Sequence, residues 1–116
     1  MPRLLIATTV AVTIRAFLLP YADFFRQKGW RVGAMTSEAA SLPELAGHFD
    51  EIIDVRWRRN PLDPANLREC APIREAVARG SYDIVHVHTP VAAFVTRLAL
   101  RRERASGLKV VYTAHG

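Results

Sequence analysis

Short apolar runs alternate with amphipathic stretches along the chain. Five runs predict β-strands, at residues 4–9, 30–36, 51–55, 83–89 and 109–114. Three amphipathic stretches predict α-helices, at residues 16–28, 64–79 and 92–104. Residues 41–49 predict a short helix or turn, and residues 56–64 a loop with two prolines and a basic cluster. This alternation indicates an α/β protein whose parallel sheet is covered by helices on both faces.

Proline and glycine mark several of the predicted boundaries. Pro20 suits the first turn of the first helix, where its missing N–H removes no hydrogen bond, and Gly29 suits the end of that helix. Pro72 lies inside the second helix and should kink it or split it in two. Pro90 ends the fourth strand, and the break at Gly107 leads into the fifth.

The predicted connections determine how the strands are arranged. Right-handed crossovers between parallel strands give a Rossmann-like, doubly wound sheet with the strand order 3-2-1-4-5. Ligands of such sheets bind outside the carboxyl ends of the strands, where the strand order reverses. In this chain that point lies between strands one and four. No internal repeat or linker is visible, and residues 1–116 are expected to belong to one domain.

Composition narrows the class of protein. Half of the 116 residues are apolar, which excludes intrinsic disorder. The single cysteine, Cys70, excludes a disulfide framework and a cysteine-based zinc or iron–sulfur site, and we expect it to pack against apolar neighbours. The apolar start of the chain lacks the features of a signal peptide, and no apolar run is long enough to cross a bilayer. A cytoplasmic location is therefore expected.

The charge is basic and almost entirely due to arginine. The chain contains sixteen cationic and eleven acidic residues, which gives a net charge of +5, and fourteen of the sixteen cationic residues are arginine. Arginine suits phosphates and carboxylates, so an anionic partner is one interpretation, and genome base composition is another. Two clusters stand out, at residues 56–59 and at Arg97, Arg101, Arg102 and Arg104. Solvated surface is the favoured interpretation of both, and the alternative is a contact with an anionic membrane, with Trp57 at the interface. No recognised motif supports binding of nucleic acid.

Three segments meet at the predicted carboxyl edge of the sheet and carry the candidate substrate-binding residues. They are Thr8 and Thr9 with the loop to Arg15, then His88 and Thr89, and then Thr113, His115 and Gly116. Hydroxyl and imidazole groups next to helix N-termini suit ligands that carry phosphate. The first loop contains no glycine, so neither a dinucleotide-binding fingerprint nor a P-loop is present.

The histidines allow more than one interpretation. His86 and His88 are two residues apart on a strand and point to the same face, so a zinc site with His115 is conceivable. The favoured alternative is a hydrogen-bonded His86 in the core and a His88 at the edge, without metal. His115 follows the last strand, which suits either a group that orients or deprotonates a substrate or a loop residue that caps the next helix.

Several motifs carry a resemblance to a known family. Residues 82–94 read YDIVHVHTPVAAF and residues 110–116 read VVYTAHG, while the start of the chain has LIATTV at 5–10 and RAFLLP at 15–20. In this order they resemble the amino-terminal domain of family 4 glycosyltransferases, in particular the bacterial enzymes that build capsular and exopolysaccharide repeat units. The resemblance covers the whole chain.

The resemblance implies the GT-B architecture, in which two Rossmann-like domains face each other across a cleft. The amino-terminal domain binds the acceptor, often a lipid-linked sugar at the cytoplasmic face of the membrane. The other domain binds the nucleotide-sugar, usually a UDP-sugar, and carries paired glutamates. Transfer retains the anomeric configuration and requires neither a metal nor another cofactor. His115 matches the family histidine that lines the cleft, as the candidate catalytic residue, and the loop from Thr9 to Arg15 matches a segment near the donor phosphates that is glycine-rich in many relatives.

The chain departs from the family in its length. It ends at the His-Gly motif, ahead of the last strands of the first domain and of any donor domain, so we expect an incomplete amino-terminal half of a GT-B fold. One hypothesis is the acceptor half of a transferase that is inactive without a donor-binding domain or partner chain. The other is a non-catalytic subunit that presents a partner enzyme to the membrane. Peripheral attachment to the inner face of the membrane is expected in both.

Overall fold

The computed structural model describes residues 2–10, 14, 18–37, 43–57, 63–88 and 90–113. The strands in these ranges are β1 (Arg3–Val10), β2 (Arg31–Ser37), β3 (Glu51–Asp54), β4 (Ile84–Val87) and β5 (Lys109–Tyr112). The helices are α1 (Leu19–Gln27), α2 (Pro64–Leu67), α3 (Cys70–Gly80), α4 (Pro90–Ala99) and α5 (Arg101–Ala105), with a 3-10 helix at Pro43–Gly47. Adjacent strands are parallel, and the order β3-β2-β1-β4-β5 confirms the predicted sheet.

β1 lies at the centre of the sheet and pairs with a strand on each side. Leu5 is opposite Gly33 of β2 in one ladder and Val85 of β4 in the other. Residues 4–8 of β1 are all buried, on both faces of the sheet. A strand covered on both faces needs apolar side chains without alternation, which explains the continuous apolar run at the start of the chain.

Two hydrophobic layers enclose the sheet. Helices α3 and α4 form one layer, whose fully buried members include Leu5, Ile73, Val85 and Leu100. The other layer contains α1 together with residues from the loops, and its buried members include Ile6, Ile14, Leu18, Val32 and Leu45. The two layers give the sheet the covered faces that the alternation of strands and helices predicts.

Proline and glycine delimit the first three helices as predicted. Pro20 lies in the first turn of α1, and Gly29 follows that helix with a φ of 88°, a conformation that favours glycine. The stretch predicted at residues 64–79 is split into α2 and α3. Pro72 lies in the first turn of α3, where its missing N–H removes no intrahelical hydrogen bond. Splitting, rather than kinking, is therefore the outcome at this proline.

The stretch predicted as one helix at residues 92–104 differs from the structure in two ways. α4 begins before the predicted residue 92, at Pro90, because proline suits the first position of a helix. The helix is also interrupted at Leu100, whose φ of −104° and ψ of 18° depart from helical values. Leu100 is fully buried, while Arg97 and Arg101 on either side of it are exposed. The interruption thus places an apolar side chain in the core and leaves the arginines in solvent.

Tyr82 ties the start of β4 to β3. Its side chain is buried, and its hydroxyl donates a hydrogen bond of 2.7 Å to Oε1 of Glu51. Burial, followed by the contact with the Glu51 carboxylate, holds the pKa of Tyr82 far above its usual value. The ring packs against two glycines, because a Cβ at either Gly33 or Gly80 would overlap it. Both positions therefore require glycine as long as Tyr82 keeps this place.

β5 forms one edge of the described sheet, and its apolar side chains are only partly covered. Val111 is 46% exposed on one face. Tyr112 is half-buried on the other face, where it packs against the layer that contains α4. Native edge strands are usually protected by charged side chains or by a covering element. Because β5 has apolar side chains on both faces, it is an exposed edge.

Candidate functional site

A β-bulge lies at the carboxyl end of the central strand. Ala7 pairs with Met35 and Val10 with Ser37, so β1 holds one more residue than β2 between these pairs. The extra residue falls at the Thr8–Thr9 step. Bulges redirect side chains and are common beside active sites, and this one lies at the edge where the topology predicts ligand binding.

The hydroxyl of Thr8 is held inside the sheet. Thr8 is fully buried, and its Oγ1 lies 2.9 Å from Oγ1 of Thr36, which is also fully buried on β2. Thr9, the next residue in the bulge, is half-buried. The Thr8–Thr36 contact therefore fixes the end of β1 against β2, and Thr9 is the closer of the two bulge residues to the surface.

His88 lies next to the bulge, directly after β4. Its backbone N–H donates to the carbonyl of Ala7 at 3.0 Å, which ties it to β1. His86 lies on the same face of β4, as predicted, with the two ring centroids 4.0 Å apart and the ring planes at 41°. The two imidazoles are thus in contact, in a tilted arrangement, next to the bulge on β1.

Thr113 completes the group on the other side of β4. Its backbone N–H donates to the carbonyl of Val87 at 2.9 Å, and its Oγ1 lies 2.7 Å from Nε2 of His86. The structure thus brings Thr9, His88 and Thr113, with His86 between the last two, to the carboxyl ends of three adjacent strands. Groups that both donate and accept hydrogen bonds line this edge.

The burial of the two histidines is the reverse of the prediction. His88, expected at the edge, is only 5% exposed, whereas His86, expected in the core, is half-buried. His86 lies beside β5, whose side chains on that face, Val111 and Thr113, are exposed. Its position next to this open edge strand explains its exposure. The hydrogen bond predicted for His86 is confirmed, with Thr113 as the partner.

Four of the candidate residues lie outside the described residues, namely Arg15, Thr89, His115 and Gly116. Their roles stay predictions, as does a zinc site that includes His115. Within the ranges that the structure describes, no three His, Cys, Asp or Glu side chains converge to hold a metal ion.

The family of the chain follows from comparison with known proteins. Residues 17–116 match the family model described as Glycosyltransferase Family 4. The chain belongs to glycosyltransferase family 4. EpsD from Bacillus subtilis (strain 168), a provisionally assigned glycosyltransferase, is 40% identical to it over 114 residues, which are 98% of this chain and 29% of EpsD.

Solved structures show the same fold in glycosyltransferases. MurG from Acinetobacter baumannii superposes with a TM-score of 0.72 at 16% identity, over 98% of this chain and 35% of the MurG chain. A glycosyltransferase from Rickettsia africae ESF-5 superposes with a TM-score of 0.67 at 17% identity, over 96% of this chain and 29% of the other. At these identities the likeness shows the fold alone, which is that of GT-B glycosyltransferases. The family 4 chain spans about a third of these proteins.

Ser37 and Trp57 lie at the carboxyl ends of β2 and β3 and were not predicted as site residues. The Ser37 hydroxyl donates to the carbonyl of Val55 and accepts from the backbone N–H of Trp57, the latter at 3.1 Å. The Trp57 Nε1–H is buried and has no hydrogen-bond partner among the residues that the structure describes. The available signal was the Thr36-Ser37 pair at the end of β2, which resembles the Thr8-Thr9 pair near the end of β1.

Both interpretations of the cluster at residues 56–59 place Trp57 at the surface, whereas the structure buries it. Trp57 is 9% exposed and packs in the core with Val55 and Ile73. Ser37 ties its backbone to the end of β2, and the side chain is buried in the layer that contains α3. Arg56, beside it, is exposed, and the other two arginines of the cluster at residues 56–59 lie outside the described residues.

Cys70 packs as predicted. It is half-buried against the layer that contains α3 and α4. Burial raises the pKa of its thiol, against the opposing effect of Arg101 and Arg74. A protonated thiol in this position is a packing group rather than a nucleophile.

One cavity formed by the described residues lies away from this edge. It has a volume of about 650 Å³ and is lined by residues that include Asp83, Arg102, Ser106 and Lys109. These residues precede β4 and β5 or begin them, so the cavity lies at the amino ends of the strands. It is therefore separate from the cluster of hydroxyl and imidazole groups.

No helix in the described ranges is long and apolar enough to cross a membrane.

Proposed function

We propose that this chain is the acceptor-binding part of a retaining glycosyltransferase that transfers a sugar from a nucleotide-sugar to a glycan acceptor in polysaccharide biosynthesis. Its membership of glycosyltransferase family 4 supports the class of reaction. The assignment of the acceptor site depends on one observation, the His88–His86–Thr113 row beside the β1 bulge. The row lies at the edge where doubly wound sheets bind their ligands.

The groups at this edge match the chemistry of a sugar. Sugar hydroxyls both donate and accept hydrogen bonds, and so do threonine hydroxyls and neutral imidazoles. Thr9, His88 and Thr113 bind the acceptor, and Thr8 holds the bulge in place through Thr36. Arg15, Thr89 and Gly116 remain proposed members of the acceptor site.

His115 is the proposed catalytic residue. It follows Thr113 by two residues, and Thr113 is anchored through both its backbone and its side chain. The sheet is therefore fixed as far as Thr113, two residues ahead of His115 in the sequence. An imidazole there orients the acceptor hydroxyl or stabilises the donor phosphate during transfer.

The donor, a UDP-sugar or another nucleotide-sugar, binds mainly to a second domain. Residues 1–116 form part of an amino-terminal domain, and the donor-binding domain lies in the same polypeptide or in a partner chain. The chain spans 29% of EpsD and 35% of MurG, which is consistent with this division. The acceptor is lipid-linked, and the protein works at the cytoplasmic face of the membrane as a peripheral protein.

The test is a chimera in which this chain replaces the matching 114 residues of EpsD. Transfer of labelled sugar from UDP-sugars to a membrane lipid extract is measured for the chimera, for its variants and for the chain alone. We expect transfer by the chimera and none by the chain alone. His115→Ala should lower the rate about 10²- to 10⁴-fold, the usual contribution of a positioned acid or base.

His48→Ala is the matched control, since His48 contacts Asp23 away from the carboxyl edge. It should leave the rate of transfer unchanged. An inactive but folded chimera, full activity of His115→Ala, or transfer by the chain alone would each contradict the proposal.

A further inference from the structure

Aromatic side chains follow α1 and the residues directly after it. Tyr21 and Phe24 are 58% and 53% exposed, and together with Phe25 they line an apolar cavity of about 380 Å³. The rings of Phe24 and Phe25 meet edge-to-face, with their centroids 5.3 Å apart. Phe25 in turn packs against Trp30, with the two ring centroids 4.6 Å apart. These four residues form the α1 aromatic row.

A polar cavity adjoins the Trp30 end of this row. It has a volume of about 450 Å³, and its lining includes Trp30, Asp23, Arg26, Gln27 and Asp50. The Asp50 carboxylate is fixed by a backbone N–H of β2 at 2.8 Å and by Arg26, whose Nη2 lies 3.4 Å from Oδ1. Each carboxylate oxygen can accept more than one hydrogen bond, and the exposed Gln27 amide both donates and accepts. The cavity therefore offers fixed polar groups beside an aromatic residue.

The charges around the row and the cavity balance each other. In the described ranges, the charged residues that line the cavity are Asp23, Asp50 and Arg26, and the Lys28 Nζ lies 5.2 Å from the centroid of the Phe24 ring. Two carboxylates thus offset two cations. An anionic ligand, such as an acidic polymer or a phospholipid headgroup, gains no net attraction from such a surface. A neutral ligand with apolar faces and polar edges fits both the rings and the cavity.

The α1 aromatic row connects this cavity with the carboxyl edge of the sheet. α1 begins at Leu19, after β1 has ended at that edge, and returns to the amino ends of the strands, where Trp30 precedes β2. Ile84 packs in the layer that contains α1, so His86, two residues further along β4, lies on the same face of the sheet. The nine residues of α1 span about 14 Å. A chain molecule bound along α1 can therefore extend toward His86 and His88.

We propose that the α1 aromatic row binds a neutral glycan chain. The face of an aromatic ring carries a partial negative charge and attracts the C–H groups on the flat side of a sugar ring, so Tyr21 and Phe24 stack on neighbouring sugars. Hydroxyl groups of the chain bond to Gln27 and Asp50 in the polar cavity. The inference rests on the proposed function and deepens it, because the bound chain is the part of the acceptor that lies beyond the reacting sugar.

The test is titration of the purified, ¹⁵N-labelled chain with oligosaccharides, followed by NMR in the absence of sugar donor. The neutral probes are cellotetraose and chitotetraose, and the acidic probe is tetragalacturonic acid. We expect saturable shifts of the amide signals of Phe24, Gln27 and Trp30 with at least one neutral probe. The acidic probe should bind no more tightly, since the charges of the surface cancel.

Variants with matched controls identify the groups that bind. Phe24→Ser should weaken binding about tenfold, because the stacking ring is lost. Gln27→Ala should weaken it about fivefold, the contribution of one hydrogen bond. The controls are Phe94→Ser, which removes a ring that is 46% exposed on α4, and Glu75→Ala, which removes an exposed polar side chain on α3. Both controls lie on other helices and should leave the affinity within about twofold of the original, and circular dichroism checks that every variant is folded.

Four results would overturn the proposal. Absence of shifts with both neutral probes would show that the row binds no glycan, and shifts confined to His88 and Thr113 would place the glycan at the carboxyl edge alone. Equal losses in Phe24→Ser and Phe94→Ser would show that any exposed ring suffices. Tighter binding of the acidic probe would show that charge drives the contact.

The two proposals about glycan can fail separately. Transfer by the chimera without oligosaccharide binding along α1 refutes the α1 aromatic row alone. Oligosaccharide binding along α1 without transfer by the chimera refutes the proposed function alone.

Discussion

Replacement of Gly33 by alanine should destabilise the protein through Tyr82. A Cβ at Gly33 would overlap the Tyr82 hydroxyl oxygen and would lie 2.9 Å from Cζ of that ring and 3.2 Å from Cδ1 of Leu5. The ring has no room to retreat, because the backbone of Gly80 is packed against it: a Cβ there would lie 2.8 Å from Cδ2. To relieve the overlap, Tyr82 must give up its hydrogen bond to Glu51.

Three effects set the size of the change in unfolding free energy. Overpacking of a well-filled core costs about 1–3 kcal/mol. Loss of a hydrogen bond to a charged carboxylate costs about 1.5–3 kcal/mol. Alanine regains about 0.5–1 kcal/mol because it has less freedom than glycine in the unfolded chain. The net loss is about 2–5 kcal/mol, which lowers the Tm by about 8–20 °C in a domain of this size.

Thermal and urea unfolding followed by circular dichroism measure this loss. Gly47→Ala is the matched control, since nothing lies within 4 Å of a Cβ at that position, and its stability should equal or slightly exceed that of the original protein. In a Tyr82→Ala background, Gly33→Ala should have almost no cost, because the obstructing ring is gone. Equal costs in both backgrounds, or a Gly33→Ala protein as stable as the original, would refute the role of Tyr82.

Two further predictions concern pH and the open edge of the sheet. Stability should fall as the pH rises above about 10, the pKa of tyrosine in an unfolded chain. Below that pH, the Tyr82 hydroxyl should have no effect on how stability changes with pH. The reason is that burial and the contact with Glu51 raise the pKa of Tyr82 in the folded state. Above a pH of about 10 the folded protein therefore keeps the hydroxyl proton that the unfolded chain loses. Tyr82→Phe should flatten this decline in urea titrations across that range, and an unchanged decline would contradict it. The exposed edge of β5 should make the chain prone to associate, and Val111→Lys should reduce this association in gel filtration. A cooperative, monomeric melt at high temperature would count against the prediction.

The sheet was predictable because its physical requirements act on local sequence. A parallel strand covered on both faces needs a continuous apolar run, and such runs mark β1 and β4 clearly. The handedness of the crossovers then leaves the order 3-2-1-4-5, which the structure shows. Pro72 marked the split between α2 and α3 for an equally local reason, its missing N–H.

The interruption between α4 and α5 was not predictable in the same way. Residues 92–104 contain neither glycine nor proline, so their pattern is that of one helix. Leu100 leaves helical geometry and is fully buried in the core. Local propensity carries no information about this burial, because it depends on how α4 packs against the sheet.

The location of the candidate site could be predicted, but its side-chain contacts could not. Topology alone brings the ends of β1, β4 and β5 to one edge, and so predicts that Thr9, His88 and Thr113 meet there. Which hydroxyl pairs with which imidazole depends on the register and the bulge. Neither is visible in the sequence, and for this reason the burial of His86 and His88 was predicted in the wrong order.

The sequence by itself determined the strands, their order, the edge where the candidate site lies and the family motifs, since each depends on local pattern or on chirality. Tertiary structure alone decided what each side chain meets. It buried Trp57, paired Thr8 with Thr36, and left the arginines around Phe94 exposed beside an apolar cavity. The physical reason is that burial and pairing are properties of neighbours brought together from distant parts of the chain, and no local pattern encodes them.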